Sequence, residues 1–159
     1  SQNDTEKNYE WAGSFSPQLR QSLDWLNEAY QRPIEPAFLN LRYIDAVKLS
    51  DYGVGDEWLD FIAGSLNIRL EYLFDPGGAL RNFQIIQSFA LENDSELNIV
   101  VSKGKASSGK EPVLVWQTAV IRAGSMEWAG LHSWAEEVHR VTHNVFESMT
   151  KGKLYDSFK

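Results

Sequence analysis

The chain has 159 residues, a formal net charge of −7, three histidines and no cysteine. Its length fits one domain that buries its own core. Lack of cysteine removes disulfides, thiolate catalysis and cysteine-based zinc or iron–sulfur sites. The acidic balance argues against nucleic acid and anionic membranes as partners, and no apolar run is long enough to span a bilayer. No signal-peptide pattern opens the chain, so a cytoplasmic location is expected.

Residues 1–15 are polar apart from Tyr9, Trp11 and Phe15, and are expected to form a flexible lead-in or linker. Ser16 and Pro17 suit the cap and first turn of a helix, and Leu19, Leu23, Leu26 and Tyr30 form its apolar stripe. Arg32-Pro33 is expected to end it. From Ala37 to Leu49 the alternation is that of a strand, with Leu39, Leu41, Tyr43 and Val47 on one face and Asn40, Arg42 and Lys48 on the other. Asp45 falls on the apolar face, which calls for a bulge or a dedicated hydrogen bond. Arg42, on the polar face, is a candidate anion clamp.

Asp56 is placed to cap a short helix reaching about Gly64, with Trp58, Leu59 and Ile62 inward. Asp75-Pro76-Gly77-Gly78 is a turn signal. Three strands follow, at 79–91, 97–103 and 113–122, and their short connections imply antiparallel neighbours. The loop Gly104-Lys105-Ala106-Ser107-Ser108-Gly109-Lys110 approaches a phosphate-binding loop. However, Glu111 replaces the magnesium-binding hydroxyl, and a strand follows where a helix is needed.

The last long element, about 127–149, is a helix with Leu131, Trp134, Val138, Val141, Val145 and Met149 on one face. His132, Glu136, His139 and His143 form a second stripe on its shoulder, at spacings of four, three and four. Glu136, His139 and His143 are the candidate metal ligands, with zinc as the candidate ion. The alternative is that His139 packs at the core edge while the others are solvated. Residues 151–159 are expected to be a tail, leaving 16–150 as the domain.

Two segments carry a resemblance. Asn40-Leu41-Arg42-Tyr43-Ile44-Asp45 and Val138-His139-Arg140-Val141 through Phe146-Glu147-Ser148-Met149-Thr150 resemble the paired strand and helix signatures of a sporadically distributed family of bacterial and archaeal proteins, one without an assigned activity. Asn40 and Asp45 depart from the glycine and asparagine usual there. The resemblance implies a prokaryotic origin and the C-terminal part of a longer protein. It singles out Arg42, Tyr43 and His139 but assigns them no activity.

The expected architecture is α+β: a four-stranded, mainly antiparallel sheet packed against the long C-terminal helix and two shorter ones. The sheet's second face, assigned Phe38, Ile44, Leu114, Trp116 and Val120, is too apolar for open water. The leading expectation is therefore a protein-binding or self-association module using that face, with Arg42, Tyr43, Trp116, Trp128 and His139 as candidate binding residues and no catalytic residue named. The alternatives are a metal-binding domain or enzyme using the Glu136/His139/His143 set, and a ligand pocket between sheet and helix walled by Trp128, Trp134 and Phe146.

Overall fold

The structure is a computed structural model that describes residues 10–30, 34–54, 58–78, 80–105 and 112–158. The Arg32-Pro33 stop, the Asp56 cap and the centre of the Lys-rich loop lie outside these residues.

Four strands, β1 (Phe38–Lys48), β2 (Gln84–Ala90), β3 (Ser95–Lys105) and β4 (Pro112–Ala123), form one antiparallel sheet in the order β1-β4-β3-β2. The helices are α1 (Ser16–Ala29), α2 (Trp58–Ser65), α3 (Leu131–Met149) and the single-turn α4 (Gly152–Asp156). This is the expected α+β class, with the long helix on the sheet. Asn93 and Asp94 make the tight β2–β3 turn at φ 58° and 54°, a left-handed conformation that short polar side chains tolerate. The Arg122 guanidinium donates to the Asn93 carbonyl at 3.0 Å and ties this turn to β4.

Register decides which residues face the helices, because directly opposed residues of an antiparallel pair share a face. Tyr43 opposes Thr118, Asp45 opposes Trp116, Val47 opposes Leu114, and Val101 of β3 opposes Trp116 from the other side. Trp116, Leu114 and Val120 therefore lie on the covered face, each with no accessible surface. This corrects their assignment to the open face. The cause lies in β4 itself. A central strand apolar on both faces carries no alternation to show which set points inward.

The covered face divides into two parts. At one end Val47, Leu114, Trp116 and Val101 meet Trp58, Phe61 and Ile62 of α2, Met149 of α3 and Leu154 of α4. At the other, Leu97 and Val120 meet Val138 of α3, with Leu41 and Trp134 at the margin. Backbone bonds lock α2 to the end of α3: Asn67 N–H donates to the Met149 carbonyl at 2.7 Å, and Lys151 N–H to the Ser65 carbonyl at 3.0 Å. The expected tail thus contributes Leu154, 1% exposed, to the core.

Asp45 has no bulge to accommodate it, since the β1–β4 ladder runs unbroken from Phe38 to Lys48. Burial pushes its carboxyl up to about 6. Arg42 lies on the opposite face of the strand, so the two do not pair.

Two outcomes follow. Trp116→Ala costs about 3–5 kcal/mol in urea unfolding, as deletion of a fully buried indole does, whereas Ile44→Ala on the open face stays within about 0.5 kcal/mol. A carboxyl whose pKa rises on folding favours the folded state most when protonated, so its contribution is complete below pH 4 and lost as pH rises through 6. Asp45→Asn therefore stabilises the protein at pH 7–8, by roughly 1–3 kcal/mol, and the difference from wild type vanishes near pH 4.

Candidate functional site: a polar clasp on the long helix and an open sheet face

The histidine stripe is built into a clasp between the start of the chain and α3. Trp11–Phe15 forms a wide helical turn that runs directly into α1, closed by Phe15 N–H donating to the Glu10 carbonyl at 3.2 Å. Trp11 and Phe15 are buried there against Ala135, with Leu19, Leu41, Tyr43 and Trp134 packed around them. From residue 11 onward, then, the segment expected to be a flexible lead-in is packed structure.

Glu136 is the anchor. Its Oε2 accepts from the Trp11 indole N–H at 2.7 Å and its Oε1 from the Ser16 hydroxyl at 2.5 Å. Those bonds, the one from Ser16 first, hold its carboxyl below the usual range and keep it ionised. Ser16 consequently does not cap α1. Its hydroxyl is spent on α3, and the cap position falls to Phe15 in the preceding turn. His132 Nε2 lies 3.2 Å from the same hydroxyl, and its Nδ1 lies 3.4 Å from an Arg20 guanidinium nitrogen. With Nδ1 accepting from Arg20, the donors run in one direction: Arg20 to His132, His132 to Ser16, Ser16 to Glu136.

His139 sits deeper. Its ring stacks on the Trp11 indole, with centroids 4.2 Å apart and planes 4° from parallel. Its Nδ1 lies 2.8 Å from the Tyr43 hydroxyl of β1, the geometry of a bond donated by the phenol to a neutral ring. Burial first, and the neighbouring His143 second, lower its pKa, while Glu136 opposes them. His143 leans outward and lies 3.5 Å from Glu147.

The three candidate zinc ligands do not converge. Both Glu136 oxygens accept hydrogen bonds toward α1, His139 Nδ1 is engaged with Tyr43, and His143 turns to Glu147. Among the described residues, no group of three His, Asp or Glu side chains is arranged to hold an ion. The Ser16 proton is directed at Glu136 Oε1, and the Trp11 indole N–H holds the other oxygen of the same carboxylate. The arrangement can hold two segments together. It does not gather groups around a reacting atom.

The other named residues are scattered. Trp128 lies in the turn that opens α3, Trp134 packs by Val138, and Phe146 stacks on Trp116 at 6.3 Å. Trp116, fully buried, cannot meet a partner. Arg42 lies on the open face and Tyr43 on the covered one.

That open face is composed of the alternate residues. Its central row is Ile44–Gln117–Val100–Ile86, and the next is Ala46–Val115–Ser102–Gln84. Ile44 is 57% exposed, Ile86 65%, and Phe38, at the end of β1, 59%. Among the described residues of the four strands, Arg42, Lys48 and Glu96 bring formal charge to it. Gly104 lets Val113 and Val115 close over the backbone, since a Cβ there would lie 3.0 Å from a Val115 methyl. Alternation within β1 and β2 locates Ile44 and Ile86 on this face. Val100 and Val115 belong to strands apolar on both sides and needed the register.

No family model, curated protein or solved structure matches the chain. Among the described residues, no helix is long and apolar enough to cross a membrane.

The clasp has a pH signature. A histidine whose pKa falls on folding supports the folded state fully above its ordinary value near 6.5 and loses that support as pH drops below it. With Asp45→Asn as the background, which removes the opposing carboxyl, stability measured in urea from pH 8 to pH 5 declines below 6.5, and adding His139→Gln flattens that part of the profile. Glu136→Gln weakens the clasp at every pH, read as faster amide exchange over residues 11–16 with exchange in the sheet unchanged.

Proposed function

We propose that this chain is a protein-binding module whose binding surface is the open face of the sheet. The observation that carries this reading is the exposure of Ile44 and Ile86 in one row across the sheet, with Gln117 and Val100 between them and Val115 in the next row. A sheet wet on one face normally presents polar side chains there. Contiguous apolar surface rimmed by polar groups marks a contact site on soluble proteins. Here the rim comprises Asn40, Arg42, Asn98 and Ser88 on one side and Lys48 and Gln84 on the other.

A reading as an enzyme has less support. The side chains with shifted acid–base properties are engaged structurally, Glu136 and His139 in the clasp, Asp45 within the covered face and Tyr155 in a hydrogen bond to Glu147. The residues assigned to binding change accordingly. Ile44, Ile86, Val100 and Val115 replace Trp116, Arg42 stays at the rim, and Tyr43 and His139 serve the clasp.

The double substitution Ile44→Glu, Ile86→Lys tests the surface. Because both positions are exposed, it leaves the unfolding midpoint in urea within about 1 kcal/mol of wild type. It removes the binding of an apolar fluorescent dye that the wild-type chain shows. Equal dye binding by wild type and variant would place the apolar contact surface elsewhere.

A further inference from the structure

Resting on that reading of the open face, we infer that its occupant is a second copy of this chain, stacked face to face about a two-fold axis that sets Arg42 of one copy against Glu96 of the other.

Size is the first argument. Four strands about 4.8 Å apart and roughly 25–40 Å long present a footprint of about 600 Å². That approaches the roughly 800 Å² per partner of a standard stable interface. Two sheets stacked about 10 Å apart interdigitate the side chains of their facing surfaces. The relief suits it: large side chains at Ile44, Val100 and Ile86 border small ones at Ala46, Ser102 and Ser88.

Charge is the second argument. The chain as a whole carries −7, so two copies repel at long range over most of their surface. The open face is the exception, since Arg42, Lys48 and Glu96 sum there to one positive charge. A strongly charged foreign partner would find little field to read on this face. A second copy finds the complement it needs, because a two-fold axis makes every contact reciprocal. Arg42 lies on β1 and Glu96 one row further along, on β3. An axis in the interface plane that bisects the line between them exchanges the two positions. Each Arg42 then meets the partner's carboxylate, giving two ion pairs on one side of the apolar row.

Stacking is favoured over edge-to-edge pairing of strands. β1 is an edge strand, and Asp45 points inward from its middle. An inward charge on an edge strand is a device that discourages another strand from adding there. The other edge, β2, is only 7 residues long.

Sedimentation equilibrium between about 1 and 200 μM tests the inference. The expected wild-type mass at the upper end is twice the 18.1 kDa of one chain. Ile44→Glu, Ile86→Lys gives the single-chain mass with an unchanged circular dichroism spectrum. Arg42→Glu and Glu96→Arg each weaken the dimer about tenfold, and the two together restore it, because each reversed charge then meets the other across the axis. A wild-type mass of one chain at 200 μM overturns the second copy as occupant. Dye binding lost in Ile44→Glu, Ile86→Lys would still leave the face as a binding surface, whereas no difference in dye binding would remove both. A dimer that survives Ile44→Glu, Ile86→Lys overturns both. Failure of the double charge reversal to restore the dimer overturns the two-fold register.

Discussion

Everything in this molecule depends on the seating of β4 between β1 and β3. That strand is hydrogen-bonded along both edges and apolar on both faces, and its register with β1 puts Trp116 opposite Asp45. One choice of register thereby sends Trp116, Leu114 and Val120 under the helices and turns Val115 and Ile121 to the opposite face. A slip of one residue would exchange the two sets. The buried indole then organises its surroundings. Phe146 stacks on it, and Phe158 meets it edge-on at 5.8 Å, so the chain's last turns close over the same core.

The two faces of the sheet receive opposite treatment. The covered face is closed by three groups of helical side chains, including a polar clasp that fastens the first described residues to α3. That clasp uses one carboxylate to satisfy two donors, an arrangement in which charge-assisted hydrogen bonds replace what a larger apolar contact would supply. α1 needs it. Its second half offers Leu26 and Tyr30 largely to solvent, so its hold on the domain comes from its first turns and from the Trp11 and Phe15 rings before them. Among the described residues, none of the buried helical clusters lies on the open face. Its apolar rows have the extent and the sparse charge that suit a flat, self-complementary contact.

Much of the fold was legible in residue order. Period-two alternation marked β1 and β2, the short connection between the strands expected at 79–91 and 97–103 marked the β2–β3 hairpin, and the 3.6-residue stripe from Leu131 to Met149 marked α3. The His/Glu stripe was visible for the same reason, since spacings of three and four stack side chains along a helix. What it binds was not visible. Ser16 looked like a helix cap because local sequence rewards that role. A carboxylate 120 residues away in the chain claims its hydroxyl instead. Trp11 lay in a polar stretch with no periodicity around it, so nothing local announced that its ring covers His139.

Residue order alone carries the α+β class, the antiparallel strands, the amphipathic C-terminal helix and the shared stripe of His132, Glu136, His139 and His143. Each of these is set by interactions within a few residues along the chain. Packing settles which face of β4 is buried, that the stripe fastens the Trp11–Ser16 segment, and which apolar residues stay exposed. Those outcomes depend on strand register and on contacts between residues a hundred or more positions apart, and neither leaves a local signal where a strand is apolar on both sides.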